Sequence, residues 1–538
     1  MTHSPETPNT QLRLTINGEV VQLQNVSPSL TLLQYLQQSG RTGTKEGCGD
    51  GDCGACTVAI IGEDANGNPC YQAVNSCLIP LGAVAGREVV TVEGLAKDRL
   101  HPVQAAMVKT GGSQCGYCTP GFIMSMFAAY YDGKLDDAAV EGNLCRCTGY
   151  LPIRRAAQLA ISSASGVANE TANGAVNDSI NGSINGSENA DTHTAAIGLL
   201  NEFTNCALHG VDHESVDLFN SESDPFRQRL TAVTADLRSI SYSTDQQQFY
   251  RPTELNHVLA LLHQHPDATL VAGATDLGLE MSHHRRAFPV LISLEAVSDL
   301  KQIRRTEAGV EIGAAVPLSQ IEANLHGVFP SLDEMLHWFA ARQVRNRATI
   351  GGNIGTASPI GDLPPVLLAL DAEVELVSAQ GHRVMPLANF FKGYRQTDLQ
   401  SGELIRAVHI STQITPSATR RFSQSYKVGK RGTDDISIVA AAFTVDLDAA
   451  DQIVHARLSY GGVAATPVRA VQVEQMLIGQ PWSWTTIQQV KPALQAAFTP
   501  LTDLRGTADY RRMLIGNLLE KFFVEINESQ RINQAVHY

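Results

Sequence analysis

Residues 46–58 read EGCGDGDCGACTV, and this stretch decides how the first part of the chain folds. Cys48, Cys53 and Cys56 follow a C-x4-C-x2-C pattern, and Cys77 supplies a fourth thiol downstream. Plant-type ferredoxins bind a 2Fe-2S cluster with this spacing. The interspersed glycines allow the loop to curl around a cluster and to direct backbone N–H groups at sulfur. We therefore predict that these four cysteines bind one 2Fe-2S cluster.

A second cysteine set consists of CGYC at residues 115–118 and CRC at residues 145–147. Both motifs lie at predicted turns, which follow the first and third helices of a helical region. Two such turns brought together would present four thiolates to one cluster. The predicted ligands of this second 2Fe-2S cluster are Cys115, Cys118, Cys145 and Cys147.

Zinc is the alternative metal at both sets, because four thiolates also bind tetrahedral zinc. Structural zinc sites usually pair two C-x2-C motifs, whereas one set here has a four-residue gap and the other a one-residue gap. The spacings therefore favour iron–sulfur clusters. Cys70 lies outside the spacing and Cys206 has no cysteine neighbours, so we assign no role to either.

The 538-residue chain is too long for one hydrophobic core, and its sequence pattern predicts a multidomain α+β protein. Apolar alternation on both sides of Asn17-Gly18 predicts a hairpin, and the helical spacing after it completes a small β-grasp module. The Asn-, Gly- and Ser-rich residues 165–191 are typical of a flexible linker. From Tyr250 onward helices and strands alternate, and a separate α+β unit begins near Arg421.

These patterns predict five regions along the chain. They are a β-grasp ferredoxin-like 2Fe-2S domain at 10–97, a four-helix 2Fe-2S bundle at 98–164, a flexible linker and connecting segment at 165–245, an α/β domain at 246–416 and an α+β domain at 417–535.

The charge balance argues against two classes of partner. Lys and Arg number 40 against 54 Asp and Glu, a formal charge of -14, so no basic surface for nucleic acid or for anionic lipid is indicated. No run approaches the ~20 consecutive apolar residues that span a bilayer, and the first residues resemble no export signal. We therefore expect a cytoplasmic protein without nucleic-acid or membrane partners.

The motifs EGCGDGDCGACTV, SQCGYCTPGF and GNLCRCTGYLPI together resemble the iron–sulfur half of the xanthine oxidase family of molybdenum hydroxylases. The later stretches LVAGATDLGLEM, WFAARQVRNRATIGGNIGTASPIGDLPP and YKVGKR resemble the FAD-binding domain of that family, and the last region resembles its flavoprotein C-terminal domain. The order of two clusters and then flavin in one chain is similar to small subunits of bacterial xanthine dehydrogenases. Leu151 departs from the pattern, because the family commonly has Arg there.

The resemblance implies an FAD site, for which two Gly-rich stretches could supply the phosphate-binding backbone. Gly273 follows a predicted strand, and IGGNIGTASPIGD at 350–362 offers a second cradle for an anion. By resemblance the FAD-binding residues are Leu270, Val271, Ala272, Gly273, Ala274, Thr275, Asp276, Leu277, Phe339, Gly352, Asn353, Thr356, Asp362 and Lys427. Resemblance also places Tyr394 on the NAD side of the flavin and Gln114 in contact with molybdopterin. The intervening RQVRNR at 342–347 is interpreted as a solvated helix face.

The resemblance implies an electron-transfer role with no catalytic residue in this chain. Molybdopterin would lie on a separate large subunit, in a heterotetramer of two small and two large chains. Hypoxanthine and xanthine would be oxidised to urate there. Electrons would pass to the Cys115 set, then to the Cys48 set, then to FAD and finally to NAD.

Three alternatives stay open at this point. Substrate choice belongs to the absent subunit, so an aldehyde or N-heterocycle oxidoreductase of the same family is the nearest alternative enzyme. The sequence also does not decide between NAD and oxygen as the acceptor. A different class of interpretation is a free-standing iron–sulfur flavoprotein that transfers electrons without a molybdenum partner.

Overall fold

A computed structural model describes residues 11–96, 99–164, 224–232 and 237–535 of the chain. Its secondary structure confirms the predicted multidomain α+β fold class. In those residues, no helix is both long enough and apolar enough to cross a membrane.

The first domain is a five-stranded sheet in the order β2-β1-β5-β3-β4 with one helix packed on it. Its elements are β1 Gln11–Ile16, β2 Glu19–Gln24, α1 Leu32–Gln38, β3 Thr57–Glu63, β4 Pro69–Asn75 and β5 Glu88–Val90. The predicted hairpin is confirmed, because Asn17 and Gly18 join β1 to β2 with positive φ angles of 55° and 85°. Such angles are those of a type I′ turn, which matches the twist of the two strands.

The second domain is the predicted group of four helices. They are α2 Pro102–Lys109, α3 Thr119–Asp132, α4 Asp137–Val140 and α5 Leu151–Ala164. Pro120 lies in the first turn of α3, where its missing N–H breaks no helical bond, and Gly133 ends the helix with φ 72°. Helix α3 is almost entirely buried, since it packs on both β3 and β4 of the first domain. The two cysteine-bearing domains therefore share one interface.

The region predicted as a flexible linker and connecting segment is partly folded. Residues 165–223 and 233–236, which include Cys206, lie outside the described residues. The described part forms α6 Pro225–Ala232 and β6 Ile240–Ser243. Phe226 is buried among aromatic rings of the two cysteine-bearing domains, and the Tyr71 hydroxyl donates to its carbonyl over 3.0 Å. Helix α6 is therefore anchored on these domains.

The third domain contains two larger sheets, in the orders β6-β7-β9-β8 and β10-β11-β16-β12-β13, and a two-stranded sheet of β14 and β15. Its strands after β6 are β7 Gln248–Arg251, β8 Thr269–Val271, β9 Val290–Ser293, β10 Ile303–Arg305, β11 Gly309–Gly313, β12 Glu373–Ser378, β13 Gly381–Pro386, β14 Phe391–Gly393, β15 Gln396–Thr397 and β16 Leu404–Ser411. Its helices are α7 Leu255–Gln264, α8 Leu277–Ser282, α9 Leu318–Leu325, α10 Pro330–Trp338, α11 Arg342–Arg345, α12 Ile350–Gly355 and α13 Leu363–Ala369. Strand β6 pairs with β7, so this sheet begins before residue 246, the predicted domain boundary.

The last domain is a four-stranded sheet in the order β17-β18-β19-β20 covered by helices. Its elements are β17 Arg420–Val428, β18 Val439–Leu447, β19 Ile453–Gly461, β20 Val468–Arg469, α14 Val471–Leu477, α15 Trp484–Ala496 and α16 Ala508–Ala535. Strand β18 is buried along its whole length, and α10 of the third domain packs against β17. The third and fourth domains therefore share a broad contact.

Residues 341–347, which we call the junction segment, lie where the first three domains meet. The interpretation of RQVRNR as a solvated helix face is wrong, because Gln343, Arg345 and Arg347 are 1%, 2% and 8% exposed. Arg347 lies 2.7 Å from the carboxylate of Glu295, which also lies 3.1 Å from Arg87 of the first domain. Burial alone would raise the pKa of Glu295, but the Arg347 and Arg87 guanidinium groups lower it to about 2.

Replacing Glu295 should destabilise the fold, because it would leave two buried guanidinium groups without their anion. We expect Glu295→Gln to lower the free energy of unfolding by about 3–5 kcal/mol, measured by urea denaturation. Because the folded pKa lies below the ordinary value, this carboxylate stabilises the protein above about pH 4.5, and the effect is lost as pH falls towards 2. Glu307→Gln, at an exposed position, should change little; equal stability of both variants would contradict the assignment.

Candidate functional site: two thiol sets and a cavity

The first thiol set is arranged as two pairs. The backbone N–H groups of Cys48 and Cys53 each donate to the sulfur of the other residue, over 3.2 and 3.3 Å. The sulfur atoms of Cys56 and Cys77 lie 3.3 Å apart in the buried interior. The Cys48 thiol hydrogen-bonds to Cys53 and lowers the pKa of the Cys53 thiol to about 6. One member of that pair is therefore readily available as a thiolate.

The loop between α1 and β3 reaches this arrangement through glycine conformations. Gly49, Gly51 and Gly54 have positive φ angles of 77°, 86° and 65°. The carbonyl of Gly51 accepts a bond of 2.8 Å from the Asn75 side chain, which fixes the loop to the end of β4. A side chain at Gly47 would lie 2.6 Å from the sulfur of Cys53. The loop therefore leaves the space beside sulfur free, as expected for a loop that encloses a cluster.

The second thiol set lies at the surface of the helical domain. Cys115 and Cys147 are exposed and hydrogen-bond to each other, while Cys118 hydrogen-bonds to the buried Cys145. Each pair takes one cysteine from each of the two predicted turns. The backbone N–H of Cys145 donates to the Tyr150 hydroxyl over 3.0 Å, which fixes the second turn.

Both sets have the donor chemistry of a 2Fe-2S cluster, in which each of the two irons is bound by two thiolates. The two-by-two pairing of sulfur atoms in each set matches that requirement. Within the described ranges, the structure contains no group of three or more His, Cys, Asp or Glu side chains that could bind a single metal ion. When bound, such clusters accept and donate single electrons.

The two sets are joined by a short hydrogen-bonded contact. The backbone N–H of Leu144, which precedes the ligand Cys145, donates to the carbonyl of Cys53 over 3.0 Å. Next to this bond, the Asn143 side chain donates to the carbonyl of Gly54, also over 3.0 Å. A side chain at Gly121 would meet that carbonyl at 2.2 Å, so glycine there permits the approach. One backbone hydrogen bond therefore connects a predicted ligand of the first set to the neighbour of a ligand of the second.

A cavity of about 760 Å³ opens between the first, third and fourth domains. Every residue that the sequence assigned to FAD lines it, from the 270–277 stretch to Lys427. The first-set loop contributes Asp50, Gly51 and Asp52 to the same cavity. The structure therefore places the predicted flavin residues against the loop of the first thiol set.

The polar groups of the cavity suit a dinucleotide. The side-chain oxygen of Asn353 is buried without a hydrogen-bond partner, so it is free to accept a bond from a ligand. The Lys427 ammonium lies 2.9 Å from the Asp362 carboxylate and is only 4% exposed. The Thr349 side chain accepts a bond from the Gly352 N–H and fixes the start of α12. These residues fit FAD, which requires both hydrogen-bond acceptors and donors along its length.

Close packing requires glycine at position 273, which the sequence pattern did not indicate. A side chain there would lie 1.8 Å from the Arg347 carbonyl. Gly273 therefore permits close contact with the junction segment, whether or not its backbone also approaches a phosphate. Ala274, which follows it, has a positive φ of 66°, a conformation that costs energy for a residue with a side chain.

Several cavity residues were missed by the sequence analysis. Arg431 lies 3.0 Å from Asp52 and thereby connects the fourth domain to the first-set loop. Asp434 has a buried carboxylate oxygen without a hydrogen-bond partner, and burial raises its pKa to about 7. The positions of Asp52 and Arg431 differ by 379 residues, so no local pattern could pair them.

The two remaining predicted contacts lie at the surface. Tyr394 is 64% exposed in the turn between β14 and β15 and is not among the cavity-lining residues. Its neighbour Arg395 lies 3.6 Å from Asp276, which does line the cavity. Gln114 is exposed beside Cys115. Both side chains are therefore accessible to another molecule.

Four family models match the chain. They are the 2Fe-2S iron-sulfur cluster binding domain at residues 14–81, the [2Fe-2S] binding domain at 91–158, the FAD binding domain in molybdopterin dehydrogenase at 243–412 and the CO dehydrogenase flavoprotein C-terminal domain at 424–526. The chain therefore contains two 2Fe-2S-binding domains and an FAD-binding domain.

The chain is also similar to curated proteins. A xanthine dehydrogenase of Drosophila pseudoobscura pseudoobscura is 35% identical over 97% of this chain and 39% of its own length. A xanthine dehydrogenase/oxidase of Gallus gallus is 33% identical over 97% of this chain and 40% of its own length. The chain thus spans about two fifths of the length of these relatives. A carbon monoxide dehydrogenase structure from Hydrogenophaga pseudoflava matches 51% of this chain and 95% of its own with 27% identity and a TM-score of 0.48.

The assignment of the first thiol set can be tested with two cysteines of neighbouring sequence. Cys77→Ser should remove the first cluster, because it deletes a buried thiolate, and should halve the iron content while the second cluster stays. Cys70→Ser is the matched control. It should keep both clusters, because Cys70 lies in β4 opposite Gly62 of β3 and belongs to neither thiol set. Iron analysis and low-temperature electron paramagnetic resonance (EPR) measure both. Cluster loss in the Cys70 variant alone would refute the assignment.

The raised pKa of Asp434 predicts a pH dependence of FAD binding. FAD carries a negatively charged pyrophosphate, so ionisation of Asp434 in the shared cavity should repel it. FAD affinity should therefore fall severalfold as pH rises through 7, and Asp434→Asn should remove that dependence. Fluorescence titration of the flavin-depleted protein measures it; identical pH profiles for wild type and variant would contradict the prediction.

Proposed function

Because the chain belongs to the xanthine oxidase family of molybdenum hydroxylases, we propose that it is the iron–sulfur and FAD electron-transfer part of a xanthine dehydrogenase. A partner chain carrying molybdopterin would oxidise hypoxanthine and xanthine to urate. Electrons would then pass through the second and first 2Fe-2S clusters to FAD and on to NAD. The assembly would be a cytoplasmic heterotetramer of two small and two large chains.

The observation that carries this proposal is that the first thiol set contacts both the second thiol set and the cavity. The two thiol sets are joined by the bond from the Leu144 N–H to the Cys53 carbonyl. Asp50 and Asp52, which belong to the first-set loop, line the cavity. Cofactors bound at the three sites would therefore form a series with the first cluster in the middle.

The exposed surface around the second thiol set, which is the first site in the series, supports the proposal of a partner chain. Cys115 and Cys147 of the second set are exposed, as is Gln114 beside them. The residues that flank these cysteines include large exposed apolar side chains: Tyr117, Leu144, Tyr150 and Leu151, which are 52%, 41%, 38% and 43% exposed. Several such side chains around one site are typical of a surface that binds another protein.

The chain's own contribution is to hold and orient. The Thr148 backbone N–H donates to the sulfur of Cys145 over 3.4 Å, and the reciprocal N–H bonds at Cys48 and Cys53 do the same in the first set. Such donors stabilise negative charge on sulfur and tune the reduction potential of a bound cluster. FAD, held by the cavity residues, would convert single-electron flow into hydride transfer. The exposed turn at Tyr394, whose neighbour Arg395 pairs with Asp276 of the cavity, would be accessible to NAD.

The partner proposal can be tested at the exposed face of the second set. Leu144→Glu places a charge on that face without removing the backbone N–H, so both clusters should stay and a molybdenum-containing chain should no longer co-purify. Leu501→Glu, at a position 79% exposed in the fourth domain, is the matched control and should retain the partner. Affinity purification followed by molybdenum and iron analysis measures both. Partner retention by the Leu144 variant would refute this face as the interface.

Substrate assays on the same purified complex distinguish the remaining functions. Xanthine-dependent reduction of NAD is the expected result. Oxidation of aldehydes or N-heterocycles but not of purines would establish the alternative enzyme of the family, and electron transfer to oxygen alone would overturn the NAD assignment. NADH-driven reduction of acceptors by a chain that has no partner in gentle purification would establish a free-standing electron-transfer module.

A further inference from the structure

The junction segment contains a buried glutamine that contacts both cysteine-bearing domains. The Gln343 side-chain amide donates to the Ser125 hydroxyl over 3.0 Å and to the Asn143 side-chain oxygen over 3.1 Å. It also lies 3.4 Å from the Thr57 hydroxyl. Ser125 and Asn143 belong to the helical domain and Thr57 to the β-grasp domain, and all three are 1% exposed. A side chain of the third domain thus ends between the two thiol sets.

The partner of Gln343 is the residue that fixes the contact between the sets. Asn143 accepts from Gln343 and from Ser125 with its oxygen, and donates to the Gly54 carbonyl with its nitrogen. Gly54 follows the predicted ligand Cys53, and Asn143 precedes Leu144. The Asn143 side chain therefore lies beside the bond from the Leu144 N–H to the Cys53 carbonyl and spans the same two loops.

The surroundings of Gln343 show that its placement is specific. A side chain at Gly142 would lie 2.3 Å from the Gln343 oxygen, so glycine at 142 makes room for it. Arg345, two residues on, lies 3.2 Å from Glu141 on the same loop of the helical domain. Val344, between them, lines the cavity that the predicted FAD residues also line. The segment that shapes the cavity therefore also holds the loop leading to Cys145.

We propose that Gln343 is a positioning residue that, through Asn143, keeps the Leu144–Cys53 backbone bond closed and so holds the two 2Fe-2S clusters at a fixed separation. The docking of the flavin-binding domain would thereby control the coupling between the clusters. Without the Gln343 amide, the Asn143 oxygen would keep only the bond from Ser125, and the loop at 141–144 could move away from Gly54. This inference rests on the proposed electron-transfer function, but its test needs neither the partner nor a substrate.

The test compares Gln343→Met with wild type in the full chain carrying its cofactors. Met fills a similar volume but donates no hydrogen bond. Low-temperature EPR of the fully reduced protein reports the magnetic coupling between the clusters, which depends on their separation. Pulse reduction reports how fast electrons redistribute between them. We expect weaker coupling and a severalfold slower redistribution, with iron and flavin content unchanged. Loss of one buried hydrogen bond should shift the equilibrium towards the open loop by about 2- to 10-fold.

Gln320→Met is the matched control, because Gln320 of the third domain also donates to the first domain, at the Glu63 carbonyl over 3.3 Å. That contact does not involve either ligand loop, so coupling and rate should stay at wild-type values. An unchanged coupling in the Gln343 variant, or an equal loss in the Gln320 variant, would overturn the inference.

If the Met variant loses a cluster, a second variant, Gln343→Glu, tests the same inference. A neutral Glu can donate to Asn143 and an ionised Glu cannot, and burial raises the pKa of such a carboxyl. Coupling should therefore weaken as pH rises in this variant but not in wild type, and a pH-independent coupling would overturn the inference. Wild-type protein without two cluster signals would refute the proposed function itself, which separates the two failures.

Discussion

Buried hydrogen bonds and ion pairs of the junction segment hold three domains together, and the relative positions of both thiol sets and the cavity depend on them. Arg345 donates to the Phe339 and Ala340 carbonyls of its own domain and pairs with Glu141 of the helical domain. Arg347 reaches Glu295, which in turn pairs with Arg87 of the β-grasp domain. The seven residues 341–347 thus contact the first, second and third domains, which carry the two thiol sets and most of the cavity.

The polar contacts of the junction segment fix the orientation of the domains more narrowly than an apolar interface would. Apolar burial is non-directional and tolerates sliding, whereas a guanidinium or amide bonds only in a narrow range of distances and angles. Burying charge is costly, and a buried ion pair is weak evidence for stability. The pairs at Glu295 and Glu141 are therefore better explained by the orientation they impose on the domains. A series of electron carriers depends on fixed separations, so orientation is the property that this interface has to supply.

Sequence reasoning succeeded wherever the signal was local. The hairpin at Asn17-Gly18 and the helical group after residue 98 follow from spacings within a few dozen residues and are present in the structure. It failed where tertiary contacts decide. RQVRNR has the composition of a solvated helix, yet it is buried because Glu141, Glu295 and Glu322 come to it from distant positions. Likewise, α6 lies in the region predicted as linker and connecting segment but is anchored by Phe226 in an aromatic cluster built from two other domains.

The two thiol sets differ in burial, and this difference gives the proposed series its direction. Cys56 and Cys77 are 2% and 0% exposed, and the loop that precedes them faces the cavity shared with the third and fourth domains. Cys115 and Cys147 are exposed. Solvent-accessible thiolates are the ones open to oxidation, and solvent access also shifts the potential of a bound cluster. A cluster on the second set would thus be exposed to solvent and to oxidants on the side of Cys115 and Cys147. Under the proposed function, the partner chain would cover this site through the apolar side chains around it, whereas Cys56 and Cys77 are already buried by the chain itself.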